Sequence, residues 1–151
     1  MPIVDIHNHV YPPAYVEAVR IGPSAYRVTV DNEGNPVLHS PGDYNVLVPS
    51  HRLMDIRAQV LDEARVDAQL ISFTAPGTLI ETPARSVWLS CLVNDAFAEI
   101  QRAHGKRFSA LATLPLNAPE ACPAELERAI CELGLKGAAL YSNANGVALS
   151  D

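Results

Sequence analysis

IVDIHNHVYPP, residues 3–13, decides how the rest of the chain is read. Ile3 to Ile6 is a short apolar-rich run that reads as a strand. Pro12-Pro13 then forbids a continuing central strand, because proline offers no N–H to a ladder, so a turn and a short helix near Ala14 to Arg20 follow. Inside the stretch, His7 and His9 stand at i and i+2. Side chains of a strand alternate between its faces, so these two imidazoles point the same way, and Asp5 falls on that face as well.

Outward from this unit, strand and helix signals alternate. Tyr26 to Ser40 has two short β-like pieces around Asn32-Glu33-Gly34-Asn35, a hairpin inserted after the first helix, where it can cover a site. Ser50 can cap a helix running to Arg65, with Leu53, Ile56, Val60, Leu61 and Ala64 at three- and four-residue spacing on one face. Ala68 to Phe73 is a buried-strand run, and the turn-rich TAPGTLIETP leads to a long helix from Ala84 to about His104, ended by Gly105. Phe108 to Leu114 supplies a third strand. Pro119 opens a helix whose buried stripe is Leu126, Ala129, Ile130 and Leu133, and Gly134 terminates it. Lys136 to Tyr141 is a fourth strand.

Alternation at about 35 residues per unit predicts an α/β fold with a parallel sheet and helices outside, either an open doubly wound sheet or a barrel. A complete (β/α)8 TIM-type barrel takes roughly 250 residues. On the barrel reading, residues 1–151 form a single partial domain: about four βα units, the first half of a barrel, interrupted after the fourth strand. Half a barrel leaves the edges of its first and fourth strands open, which predicts self-association.

Composition narrows the partners. Of the 151 residues 48% are apolar and 19% charged, the balance of a globular protein. No run approaches the ~18 apolar residues of a membrane span, and a strand-like start replaces any signal core, so no membrane and a cytoplasmic location are expected. The net charge is -6 and the 11 Lys and Arg are scattered, leaving no basic stripe for nucleic acid. Of the three cysteines, Cys122 and Cys131 lie nine residues apart, roughly 13 Å along a shared helix and too far to bridge. They read as reduced core residues.

The chemistry centres on His7 and His9. Neutral imidazole binds zinc well and other divalent transition metals acceptably, and a catalytic site needs at least one further protein ligand and an open position. Five histidines in 151 residues predict roughly 0.16 His-x-His pairs by chance. A pair at the carboxyl end of the first strand, where parallel α/β enzymes place their chemistry, is therefore a metal-site candidate. His39, on the second arm of the hairpin, is a substrate-binding candidate, with an exposed loop histidine as its alternative. His104 reads as a helix C-terminal cation and His51 as undistinguished. Ser72, Thr74, Thr78, Tyr141 and Asn143 lie near strand ends, as site-lining or loop-capping groups. No phosphate-binding glycine loop or GxSxG elbow is present.

The segments IVDIHNHVYPPAYVEAV, LDEARVDAQLIS, NDAFAEIQRAHGKRFSALATLPLNAPEA and ELERAICELGLKGAAL resemble the amidohydrolase-related metalloenzymes. Among these, the chain looks like the branch of aminocarboxymuconate semialdehyde, γ-resorcylate and 6-methylsalicylate decarboxylases, with Ile21 to Pro49 the loosest part of the match. The resemblance implies a distorted (β/α)8 barrel and a divalent metal, zinc ahead of manganese, without an organic cofactor. In the family the metal is held by the first-strand His-x-His, a later His and a late Asp. His7 and His9 match the first two; the later pair, which also performs the acid–base work, has no counterpart, so the catalytic residues are unknown and expected beyond residue 151. The family's decarboxylases hold the substrate carboxylate with a basic residue from the insert, and His39 lies near that position without matching an arginine. The implied activity of the complete protein, a homo-oligomer, is non-oxidative decarboxylation of an unsaturated or aromatic small carboxylic acid. Hydrolysis of a lactone or ester on the same scaffold is the alternative, and a catalytically incompetent fragment is a third reading.

Overall fold

The computed structural model describes residues 1–150. Its first strand, β1 (Val4–Asp5), is followed by α1 (Pro13–Ile21), which starts on a proline suited to a first helical turn and buries Tyr15, Val16, Ala18 and Val19. The insert is larger than a hairpin: β2 (Arg27–Val30), β3 (Pro36–Ser40) and β4 (Asp43–Val46) form an antiparallel sheet in that order. Asp31 organises its first turn, its Oδ1 accepting the backbone N–H groups of Glu33 (2.9 Å) and Asn35 (2.8 Å). The turn at Gly42, with φ +81°, returns the chain into β4, a strand that the sequence reading missed.

After a 3-10 turn at Pro49–His51, helix α2 spans Met54–Glu63. It starts later than Ser50, and no side chain caps it. Its buried face follows the expected one only in part: Leu61 is buried as expected, but Met54 and Arg57 join it while Leu53, Ile56 and Val60 are exposed. The apolar spacing identified the helix but only one residue of its inner side, because a buried guanidinium occupies the centre of that side. Strand β5 (Ala68–Ile71) follows, then α3 (Pro83–His104), which ends at Gly105 with φ +56°. Strand β6 (Phe108–Ala110) leads to α4 (Cys122–Glu127), continued over Arg128–Glu132 by a wider, π-type turn.

The parallel sheet has the order β1-β5-β6, with Val4 opposite Ala68, Asp5 opposite Gln69, and Ile71 opposite Ala110. The expected fourth strand at Lys136 to Tyr141 is reduced to a parallel bridge between Ala112 and Ala138, flanked by Ala112 N–H to Gly137 O (2.8 Å) and Ala139 N–H to Ala112 O (2.9 Å). A two-residue antiparallel pair, β7 (Asn143–Ala144) with β8 (Val147–Ala148), completes the described residues.

Phe73, Phe97, Phe108, Ile71, Leu89 and Val93 fill the space between sheet and helices. In α4 the predicted stripe is only partly inward: Ala129 is buried, whereas Leu126 and Ile130 are exposed. The inner position is taken by Glu125. All three cysteines are free; Cys131 is exposed rather than in the core, and the Cys91 thiol donates to Glu125 Oε2 (3.1 Å).

A polar knot ties α3 to β6 and α4. Asn94 Nδ2 donates to Thr113 O (3.0 Å) and Glu125 Oε1 (2.6 Å), while Asn94 Oδ1 accepts Thr113 N–H (2.9 Å). Arg128 closes the knot on Glu125 (2.9 Å) and Asp95 (2.6 Å). Burial raises the pKa of Glu125, but hydrogen bonds from Arg128, Asn94 and Cys91 outweigh it and hold the carboxyl below its ordinary value. The folded-state pKa is depressed, so the stabilisation is present above the unfolded value near 4.5 and is lost as pH falls through the folded one. Glu125→Gln is therefore expected to be less stable than wild type at pH 7, with the difference shrinking below about pH 4 in urea titrations. Asn94→Ala, which removes one of the two donors to Glu125 Oε1 and leaves the backbone N–H and C=O of Thr113 without their partner, should cost about 3 kcal/mol in the same assay.

On β1 and directly flanking it, Ile3, Val4 and Ile6 are 55%, 51% and 72% exposed beside an edge that no strand pairs among the described residues. Sedimentation of the 151-residue chain should show concentration-dependent association. A compact monomer across the concentration range would contradict this.

Candidate metal centre and adjoining cavity

β1 delivers His7 and His9 to the carboxyl end of the parallel sheet, where His9 forms a parallel bridge with Ser72 just past β5. The two imidazole ring centres are 5.4 Å apart at an interplanar angle of 70°. Two imidazoles sharing one tetrahedral cation at N–metal distances of about 2.1 Å would have their ring centres about 5 Å apart. The donor pair therefore fits a divalent cation. It remains a two-donor candidate: among the described residues no group of three His, Cys, Asp or Glu side chains could hold a metal.

Asp5 does not join the pair. Its Oδ1 accepts the backbone N–H of His7 (3.0 Å) and its Oδ2 the side-chain amide of Gln69 (2.7 Å). Burial raises its pKa, yet these hydrogen bonds, Asn8 and the Arg57 charge more than compensate and keep it below the ordinary value. Asp5 shapes the strand end instead of ligating.

Arg57 carries the support further. From α2 its Nε donates to Gln69 Oε1 (2.6 Å), its Nη1 to the carbonyls of His9 (3.2 Å) and Ser50 (3.0 Å), and its Nη2 to Asn8 Oδ1 (2.9 Å). The guanidinium and Asp5 thus grip the histidine strand from both sides through Gln69. Burial lowers the pKa of His9, and the neighbouring His7 and Arg57 lower it further, so the neutral, ligating form is favoured.

Beside His9 lies a cavity of about 310 Å³, walled by Asn8, Tyr11, Asn45, His51, Arg57 and Thr74 as well as His9. Its volume suits one small molecule, and several hydrogen-bonding groups converge on it. The insert contributes Asn45 through β4. His51 comes from the 3-10 turn, held where Tyr11 N–H meets His51 O (2.9 Å). Burial, then Arg57, lower the pKa of His51, against a raising hydrogen bond from its ring to the Val46 backbone carbonyl.

His39 is placed elsewhere: its Nε2 pairs with Thr29 Oγ1 (2.8 Å), its ring lies beside Tyr44, and it is not among the residues walling the cavity. Of the strand-end candidates, Ser72 contacts His9 and Thr74 walls the cavity. Thr78 instead bonds Ser86 and Ser90 on α3, Tyr141 donates to Phe73 O (3.0 Å), and Asn143 lies on β7. His104 packs edge-on to Phe108 at the end of α3. Arg57, Asn45 and His51 went unrecognised in the sequence. Arg57 had one available signal, being the one cation of α2; the other two depend on how the insert crosses the strand ends.

Residues 4–151 match the family model described as Amidohydrolase. The chain belongs to the amidohydrolase family. Within it, the chain falls in the decarboxylase branch. It is 37% identical over 99 residues to the 2-amino-3-carboxymuconate-6-semialdehyde decarboxylase of Dictyostelium discoideum, covering 64% of this chain and 27% of that protein. The apo crystal structure of Metarhizium anisopliae IDCase is similar in fold, with a TM-score of 0.83 at 24% identity over 99% of this chain and 45% of that one. A dihydroxybenzoic acid decarboxylase from Polaromonas sp. JS666, solved with manganese and the inhibitor 2-nitroresorcinol, aligns with a TM-score of 0.66 and 24% identity over 91% of this chain and 37% of its own. This amidohydrolase chain thus spans between about a quarter and a half of the length of these relatives. No helix among the described residues is long and apolar enough to cross a membrane.

Removing the guanidinium should test the frame around the histidines. Arg57→Met leaves Gln69 Oε1, Asn8 Oδ1 and two carbonyls without their donor, and is expected to cost about 3 kcal/mol of stability in urea unfolding.

Proposed function

We propose that the complete protein is a metal-dependent, non-oxidative decarboxylase of a small unsaturated or aromatic carboxylic acid, and that residues 1–151 supply the first half of its barrel and two of its metal ligands, His7 and His9. The observation that carries this reading is the pair of imidazoles 5.4 Å apart at the strand ends, opening beside a polar cavity of about 310 Å³.

When bound, a divalent cation supplies Lewis acidity that orients a carboxylic acid and stabilises negative charge developing on it. The chain's own residues define the place where that happens. His9 offers a neutral imidazole, and Asp5, Gln69 and Arg57 hold its backbone. Arg57 contributes positive charge at the cavity wall, which favours an anionic ligand there, and Asn45 and Thr74 offer hydrogen bonds. In this reading the substrate-facing role expected of His39 passes to Asn45 and His51. The remaining ligands and the proton donor are assigned to residues outside this chain.

The metal is zinc or manganese. Imidazole donors suit zinc, and manganese is the metal in the Polaromonas relative's structure. Elemental analysis of the full-length protein should find close to one divalent metal per chain in wild type and little in His7→Ala/His9→Ala. With the metal in place, candidate aromatic acids should release CO2, and the double variant should lose at least a hundredfold of that rate. Ring opening of lactones or esters with carboxylic acids left intact would instead establish a hydrolase. A folded full-length protein without bound metal would overturn both.

A further inference from the structure

Ser72 stands just past β5, buried at 9% exposure and opposite His9 in the parallel bridge. Its hydroxyl has two neighbours: the backbone oxygen of Asn8 at 3.0 Å and Nδ1 of His9 at 3.1 Å. A hydroxyl has one proton, and a carbonyl oxygen has none to give. The Ser72 proton is therefore donated to Asn8, and the contact with His9 is a hydrogen bond only if Nδ1 carries the proton. In a neutral imidazole that leaves the lone pair on Nε2.

The backbone fixes both ends of this contact. Val10 N–H donates to Ser72 O (3.1 Å), and the carbonyl of His9 is held by Arg57 (3.2 Å). The Ser72 oxygen and the His9 ring are thus brought together by main chain on either side, not by a freely rotating side chain. Metal-ligating histidines are commonly oriented by such a partner on the second ring nitrogen, and its loss typically weakens metal binding ten- to hundredfold.

We propose that Ser72 is a positioning residue of the metal site: by accepting the Nδ1–H of His9, it selects the tautomer in which Nε2 is the ligating atom. The inference rests on the metal reading of His7 and His9, and the experiment separates the two. Full-length protein labelled with 15N-histidine is examined metal-free by long-range 15N–1H correlation, and its affinity for zinc alone is then measured by titration. Wild type and Ser72→Thr, which keeps a hydroxyl at the same place, should show His9 as the Nδ1–H tautomer. Ser72→Ala should show a mixture of tautomers and bind zinc ten- to hundredfold more weakly, with Ser72→Thr restoring the affinity to within about threefold. A structural role alone would not move the tautomer. If Ser72→Ala fails to fold, Ser72→Cys, whose sulfur is a weak acceptor, makes the same comparison.

An Nε2–H His9 in the metal-free wild type would overturn the proposal. So would a folded Ser72→Ala protein with unchanged tautomer or unchanged zinc affinity. A wild type with the Nδ1–H tautomer that binds no zinc would overturn the metal reading, and the positioning role with it.

Discussion

A guanidinium taken out of water must find acceptors in fixed positions, and Arg57 finds four: the side chains of Gln69 and Asn8 and the carbonyls of His9 and Ser50. These come from β5, the end of β1 and the 3-10 turn, so one side chain on α2 sets the relative positions of three segments. An apolar residue there would pack the helix but would not specify this arrangement. Asp5 completes the frame: its carboxylate reaches Gln69 on one side and the His7 backbone on the other, and it balances part of the Arg57 charge. The histidine strand is only two residues long by its ladder, yet its end is held like part of a longer strand.

The three-stranded insert depends on a different device. Tyr26, at its base, and Tyr15 on α1 both donate to the carbonyl of Gly77, at 2.7 and 3.1 Å. Gly77 has φ +57°, and a Cβ there would meet Thr74 O at 3.1 Å and the Tyr141 hydroxyl at 3.3 Å, so only glycine lets two tyrosines and a loop converge. Packed this way, the insert brings Asn45 to the cavity beside His9 while His39, on the neighbouring strand, is turned to Thr29. Adjacent strands of one small sheet can thus differ completely in their access to the site.

The parts of the fold that were legible in the sequence are those written in local chemistry. Pro13 opens α1, Gly105 stops α3, and the apolar runs from Ala68 and from Phe108 do begin strands, shorter than expected at Ala68–Ile71 and Phe108–Ala110. The His7–His9 pairing was legible for the same reason, since i,i+2 geometry belongs to any strand. What failed was whatever depended on a partner distant in sequence. The inner face of α2 was misread because apolar spacing does not reveal that a cation, Arg57, is the residue taken inside. The outward-facing Leu126 and Ile130 of α4 were misread similarly, Glu125 being buried because Asn94 and Arg128 meet its charge. His51 carries no local mark of a cavity residue at all; its position follows from where the insert ends.

Two deficits fall on the same strand. The segment 3–9 around β1 presents His7 and His9 without a third metal-capable side chain among the described residues, and it presents Ile3, Val4 and Ile6 beside an unpaired edge. Apolar side chains next to open backbone groups favour a further strand with its own apolar layer, and a two-histidine cation site favours further donors arriving from strand ends. In a barrel a strand laid along the free edge of β1 would answer the first need and bring its own carboxyl end near the histidines, so one event can serve both. Under the proposed function, metal affinity and closure of the sheet would be coupled: a ligand from another strand end would strengthen the fold, and apolar contact along β1 would improve the geometry of the ligands. The relatives, two to four times as long as the aligned region, have the chain length for such closure. If the histidines ligate a metal as proposed, Arg57 and Asp5 hold their backbone in place independently of any further donor, through the His9 carbonyl, the His7 N–H and Gln69.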